Sequence, residues 1–166
     1  MSNVDILIAK DQIREVIFNL ARGTDRLDHE LMVSCYWPDG YDDHNVFRGG
    51  PVEFADWVLQ ALDGFQATHH FLGQCRIGVD ADVAHCETYC DAHHVSHPDP
   101  GGHKSDMRLG LRYVDRFERR DGIWKIKKRV CAFDWAYYND SARSWSFGED
   151  FCIGHRDRTD ITYTKF

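Results

Sequence analysis

The chain has 166 residues, of which 43% are hydrophobic and 28% charged; that is the composition of one ordinary globular domain with a buried core, not of a disordered segment. Acidic residues outnumber basic ones 27 to 20, for a formal charge of −7, which excludes nucleic acid and anionic membrane as default partners, since both are held by clustered positive charge. The one basic run, KIKKR at 125–129, reads as the polar face of a strand.

No stretch approaches the roughly 20 apolar residues needed to span a bilayer, and the first residues, with acids inside their apolar run, predict no signal peptide. Cys35, Cys75, Cys86, Cys90, Cys131 and Cys152 form no C-x-x-C pair. Reduced thiols and a cytoplasmic location are expected.

In chain order, Ile6, Ala9, Ile13, Val16, Ile17 and Leu20 recur at three- and four-residue spacing and predict an amphipathic helix over 4–22. Ser2-x-x-Asp5 is a capping-box pattern, and Gly23 is expected to stop the helix. A second, shorter helix is predicted over 28–36, ended by Pro38 and Gly40, then a short strand over 41–47. Pro51 suits the first position of a third helix, 51–62. The period then changes to alternation, predicting long strands over 69–79, 83–97, 107–118 and 123–135. The turn segments 80–82, 98–102 and 120–122 separate them. Three helices followed by a meander predict an α+β fold: helices on the concave side of a strongly curved, mostly antiparallel sheet, a cone-shaped barrel enclosing a pocket. Residues 1–135 make the domain, and residues 136–166 an irregular arm of the same domain expected to contact a neighbouring subunit.

Ionisable residues accumulate where the pattern should point inward. Asp25 follows the first helix, His69 and His70 open the first long strand, and Asp42, Asp43 and His44 lie in the short one. Tyr89, Asp91 and His93 share one face of the next strand by two-residue spacing, as do Arg129, Phe133 and Trp135 on the last. Ten histidines is a high count for this length, and histidine beside a carboxylate is the natural base near neutral pH. Other readings stand beside these. Asp25 is also placed to cap the second helix, His69 to face outward, and Arg129 to be a surface residue. His93, His94 and His97 form a cluster, but no carboxylate at ligand spacing completes a metal set.

The order and spacing of GTDRLD (23–28), YWPDGYDDH (36–44), HHFLGQ (69–74) and RYVDRFERRDGIWKIKKR (112–129) resemble the SnoaL-like branch of the nuclear-transport-factor-2-like superfamily. The chain looks most like the group holding scytalone dehydratase, lindane dehydrochlorinase and bile-acid 7α-dehydratase. The resemblance implies an Asp–His pair working without metal or organic cofactor. It carries the aspartate onto Asp25, the histidine onto His70, a second histidine onto the neighbourhood of His93, and an arginine onto Arg129. Two positions depart from the pattern: His44 stands near a substrate-activating tyrosine, and Tyr113 near a pocket asparagine.

In physical terms Asp25 accepts a hydrogen bond from one ring nitrogen of His70, and the other nitrogen is free to remove a proton from carbon. Tyr41, His44, His93 or Arg129 would then assist the leaving group, His93 first among them. Tyr41, His44, Tyr113, Arg129 and Trp135 are the expected substrate contacts, and the many aromatics suit a small, flat substrate. The function expected is dehydratase-type elimination on an aromatic, polyketide-like or alicyclic molecule. The alternatives are an isomerase, a carbon–carbon lyase, or a non-catalytic assembly subunit such as the small subunit of ring-hydroxylating dioxygenases. Relatives in the resembled group are trimers, so a homo-oligomer is expected, trimer before dimer.

Overall fold

A computed structural model describes residues 1–142 and 155–159, without the side chains of 140–142. Helix α1 (Asn3–Arg26) opens on the expected capping box, with Ser2 accepting from the Asp5 N–H and the Asp5 carboxylate accepting from the Ser2 N–H. It runs past Gly23, which is buried in the helix: a Cβ there would lie 2.9 Å from Met32 Cγ. The glycine therefore serves close packing of the next element and does not end the helix. Leu27, in the left-handed region at φ 52°, ends it instead. Asp25 thus sits in the last turn of α1 and not beyond it.

Helix α2 (His29–Ser34) is capped by Asp28, whose carboxylate accepts from the Leu31 N–H at 3.1 Å. The capping role open to Asp25 therefore belongs to Asp28. Strand β1 (Tyr36–Asp43) begins earlier than predicted, and Pro38 and Gly40 lie inside it, in a register shift between Tyr36 and Tyr41. The chain turns through Asn45, at φ 63°, into the two-residue β2 (Arg48–Gly49). Helix α3 (Pro51–Leu62) has the predicted bounds.

Four long strands follow: β3 (Phe65–Asp80), β4 (Val83–Ser96), β5 (Lys104–Arg120) and β6 (Ile123–Ala142). The sheet order is β2-β1-β6-β5-β4-β3, antiparallel except for β1 against β6. The sheet is curved but does not close, so the cone is an open sheet roofed by helices and not a complete barrel. The first seven residues assigned to an irregular arm, 136–142, continue β6 instead. Most of the remainder lies outside the described residues. Within 155–159, the Arg156 guanidinium donates to the carbonyls of Leu62 (3.1 Å) and Phe65 (2.5 Å) of its own chain. Among the described residues no helix is long and apolar enough to cross a membrane.

The packed half of the core joins Ala9, Ile13, Ile17 and Leu20 of α1 to Ile77, Ala84, Phe117, Trp124 and Ile126 of the sheet, with Met32, Tyr36 and Phe54 beside them. Each such large side chain contributes roughly 1.5–3 kcal/mol by leaving water. Cys35, Cys86, Cys90 and Cys131 are buried as free thiols. A smaller cluster, Cys90, Ala92, Leu111, Tyr113 and Cys131, floors the other half of the cone, which stays hollow.

Candidate active site

The hollow is a cavity of about 420 Å³, within the ~300–1,000 Å³ usual for small-molecule sites. Helix α3 supplies Trp57, Val58, Ala61 and Leu62; the sheet supplies Phe65, Ala92, Met107, Leu109, Leu111, Tyr113 and Phe133. Its polar contributors are Thr24, His44, Asn45, His70 and His94, and among the described lining residues there is no Lys, Arg, Asp or Glu.

His70 and Asp25 meet as expected. The His70 ring shares Nδ1 with Asp25 Oδ1 at 2.7 Å, and the His70 backbone N–H donates to Asp25 Oδ2 at 3.0 Å. Both carboxylate oxygens are engaged by one residue, so the ring is fixed in position as well as in orientation. Burial opposes ionisation of Asp25, but the bonds from the His70 ring and backbone outweigh it and hold the carboxyl below its usual value. Two elements make this contact possible: the last turn of α1, and the stretch of β3 where Thr68, His70 and Leu72 point inward. His69 faces outward, as one reading of the sequence had it.

The expected partner His93 is not in the cavity. It lies on the outer face of β4, with Nδ1 3.0 Å from Asp106 and Nε2 3.5 Å from Asp91. The inward set is the even one, Ala84, Cys86, Thr88, Cys90, Ala92 and His94. Tyr89 and Asp91 therefore face outward too. Side-chain size was the available signal: the even positions from 84 to 92 are Ala, Cys, Thr, Cys and Ala, whereas His85, Glu87, Tyr89 and Asp91 stand between them. His94 takes the place given to His93. Its ring stands against that of His70, and its Nδ1 is buried with no hydrogen-bond partner. Burial, then the neighbouring His70, lower its pKa from 6.5 to about 4. Because His93 and His94 occupy opposite faces, the histidine cluster seen in the sequence does not converge. Among the described residues no three His, Cys, Asp or Glu side chains are grouped to hold a metal ion.

The remaining candidates divide. Tyr113 lines the cavity, and burial keeps its phenol protonated well above the ordinary range. His44 also lines it, from the turn after β1, with Nδ1 hydrogen-bonded to the buried Asp42. Tyr41 is on the outside, where Lys128 approaches its ring. Arg129 is neither a surface residue nor a cavity residue. It is buried beneath the floor, paired through Nε and Nη2 with Asp115 at 2.7 Å each, its guanidinium 4.0 Å from the centre of the Tyr113 ring.

Trp135 is outside as well, because a bulge intervenes: Leu111 pairs with Phe133 but Gly110 pairs with Trp135. The extra residue, Asp134, reverses the alternation, leaving Phe133 inward and Trp135 on the outer face against Gly110. Trp57, Asn45 and Phe65 were not singled out from sequence. Trp57 belongs to the apolar stripe of α3, which reads as core until the hollow beside it is known.

The curved α+β cone thus holds an apolar cavity with a carboxylate-held imidazole at its wall. The SnoaL-like domain family model matches residues 5–130, and the chain belongs to that family. No curated protein matches it in sequence. Among solved structures, the hexachlorocyclohexane dehydrochlorinase LinA-type3 from Novosphingobium barchaimii LL02 superposes with a TM-score of 0.73 at 18% identity, covering 87% of this chain and 99% of that one. A candidate scytalone dehydratase from Novosphingobium aromaticivorans DSM 12444 gives 0.71 at 18% identity over 92% and 100% of the two chains. A protein of unknown function from Mycobacterium tuberculosis gives 0.68 at 20%, over 81% and 77%. At these identities the likeness is one of fold.

Proposed function

We propose that the protein is a lyase that eliminates water or halide from a small, uncharged cyclic substrate, with His70 as the base that removes a carbon-bound proton. The observation that carries this reading is the doubly bonded Asp25–His70 pair opening on an apolar cavity. With Nδ1 tied to Asp25, Nε2 is the nitrogen left for the substrate. Asp25 fixes the tautomer and balances the charge that the ring gains. His94, neutral near pH 7, and the Tyr113 phenol supply polar contacts that can steady an enolate-like oxygen. The absence of Lys, Arg, Asp and Glu among the described lining residues supports an uncharged substrate, and the walls of Trp57, Phe65 and Phe133 a flat one.

The names of the dehydrochlorinase and candidate dehydratase structures are consistent with elimination. The reading is tested with a panel of β-hydroxy and β-halo cyclic ketones in deuterium oxide. The wild type should exchange the acidic proton and release alkene, and His70→Ala should lose both by at least about 100-fold. Exchange without elimination, with the double bond relocated, would identify an isomerase. Binding without either would identify a non-catalytic module.

A further inference from the structure

Asp25 and His70 are not the only carboxylate–imidazole pair at this cavity. Asp42, with 0% exposure on β1, accepts from the Tyr36 hydroxyl at Oδ2 (2.5 Å) and engages His44 Nδ1 through Oδ1. The His44 ring is stacked on Phe54, centroids 5.1 Å apart at 26°, and stands 5.5 Å from Trp57. Its backbone is fixed by the His44 N–H to Phe47 carbonyl bond of 2.9 Å, and the following Asn45 is tied to the Cys131 carbonyl at 3.1 Å. A turn residue held by this many contacts is built to present one atom in one place. With Nδ1 occupied, that atom is Nε2, and His44 lines the same cavity as His70.

The two pairs differ in what surrounds the carboxylate. Asp25 spends both oxygens on His70, through the ring and the backbone. Asp42 divides its oxygens between the His44 ring and a phenol, in a wholly buried setting that also contains the Arg129–Asp115 pair. A carboxylate that has no water is satisfied by cationic or hydrogen-donating neighbours. That engagement fixes Nδ1 of the His44 ring on Asp42 and leaves Nε2 as the ring atom available to the cavity.

We propose that His44 is the acid of the reaction, protonating the departing oxygen, and that Asp42 and Tyr36 are its positioning residues. This rests on the elimination reading above. The carbon–hydrogen bond breaks with its proton going to His70 Nε2, and its electron pair becomes the carbon–carbon double bond. The carbon–oxygen bond breaks, and the oxygen leaves as water with the proton from His44 Nε2. His70 ends protonated and His44 neutral, and solvent returns the proton to reset both. A halide needs no such proton. The site would therefore act on β-hydroxy carbonyl or β-hydroxy aryl compounds as its natural class, with halides as surrogates.

The test compares one cyclic ketone skeleton carrying β-hydroxyl or β-chloride, with wild type, His44→Gln and Asp42→Asn, reading α-carbon deuterium exchange, alkene release and thermal unfolding. For His44→Gln, release from the hydroxyl compound should fall at least about 100-fold, and at least about tenfold more than exchange or chloride release. Asp42→Asn, whose amide can still accept from Tyr36, should show the same selectivity if it folds, and His44→Gln decides alone if it does not. Equal losses on both leaving groups, or no loss on the hydroxyl, would overturn the proposal. Wild-type exchange with no release of water overturns the acid role alone. No exchange at all overturns the elimination reading, and the acid role with it.

Discussion

The imidazole of His94 meets that of His70 edge-on, with ring centroids 5.5 Å apart and planes at 84°. The arrangement places one inward residue of β4 beside one of β3. It also sets one ring against the other electrostatically, because charge on His70 disfavours a proton on His94. His94, the more buried of the two, yields: burial and His70 together bring its pKa to about 4.

That shift has a consequence for stability. The unfolded chain takes up a proton at this histidine near 6.5 and the folded chain only near 4. The His94 contribution is therefore whole above pH 6.5 and is lost as pH falls from 6.5 to 4, by on the order of 3 kcal/mol. Calorimetry at pH 7 and pH 4.5 should show a smaller drop in melting temperature for His94→Gln than for the wild type. Parallel drops would mean that the folded ring protonates normally.

Asp25→Asn should reduce turnover by about 10²–10⁴-fold with little change in binding, because the amide can hold the His70 ring in the wrong tautomer and supplies no charge. Since Asp25 is held below the usual carboxylate range, the wild-type pair should persist down to the ordinary pKa of 3.8 and be lost only as pH falls through the lower folded value. Steady-state kinetics with an intact fold by circular dichroism checks the first statement. A large rise in KM at unchanged kcat would contradict it.

Arg129 is predicted to matter for folding, not for substrate. Removing it leaves the fully buried Asp115 carboxylate unpaired, and Arg129→Ala should cost roughly 3–5 kcal/mol in urea unfolding. The double change Arg129→Met with Asp115→Leu should recover much of the loss. Activity per folded molecule should stay within a few-fold of wild type, whereas a tenfold rise in KM would put the guanidinium in the substrate's path.

Gly110 is the counterpart of Trp135 across the bulge. A Cβ at position 110 would lie 2.1 Å from the indole, so Gly110→Ala must expel the ring from its seat. The expected cost is about 1–3 kcal/mol, with a change in tryptophan emission as the indole leaves the Gly110 backbone. Trp135→Ala in the same chain should remove most of that penalty. An unchanged emission spectrum would mean that the strand moves instead.

What the sequence made legible follows from how local each determinant is. Pro51 and the apolar spacing of α3 gave both ends of that helix, and Ser2 with Asp5 gave the start of α1. Gly23 misled because its role is contact with Met32, a residue nine positions on. Asp25 and His70 were found through motifs whose spacing carries the fold with it. His93 came from the family resemblance and from the face it shares with Tyr89 and Asp91, whereas side-chain size on β4 turns the even positions, and with them His94, inward. Trp135 was lost to a bulge, and one inserted residue leaves no local mark. His44 stood among several candidates for assisting the leaving group, and its pairing with Asp42 was not legible, because it depends on a strand that begins five residues earlier than its composition suggests.

The free thiols give the chain an internal clock. Burial pushes Cys35 and Cys90 up to about 11, and raises Cys86 and Cys131 as well. At pH 8 almost none of these sulfurs is a thiolate, and alkylation must wait for the structure to open. Cys35 ends α2 and samples the helical half, while Cys90 and Cys131 belong to the cavity floor. A ligand that fills the cavity should slow alkylation of Cys90 and Cys131 more than that of Cys35, as read by mass spectrometry, and equal slowing would mean that the two halves open together. Modification rates would thus register occupancy of a site whose natural ligand has yet to be supplied, with no turnover required.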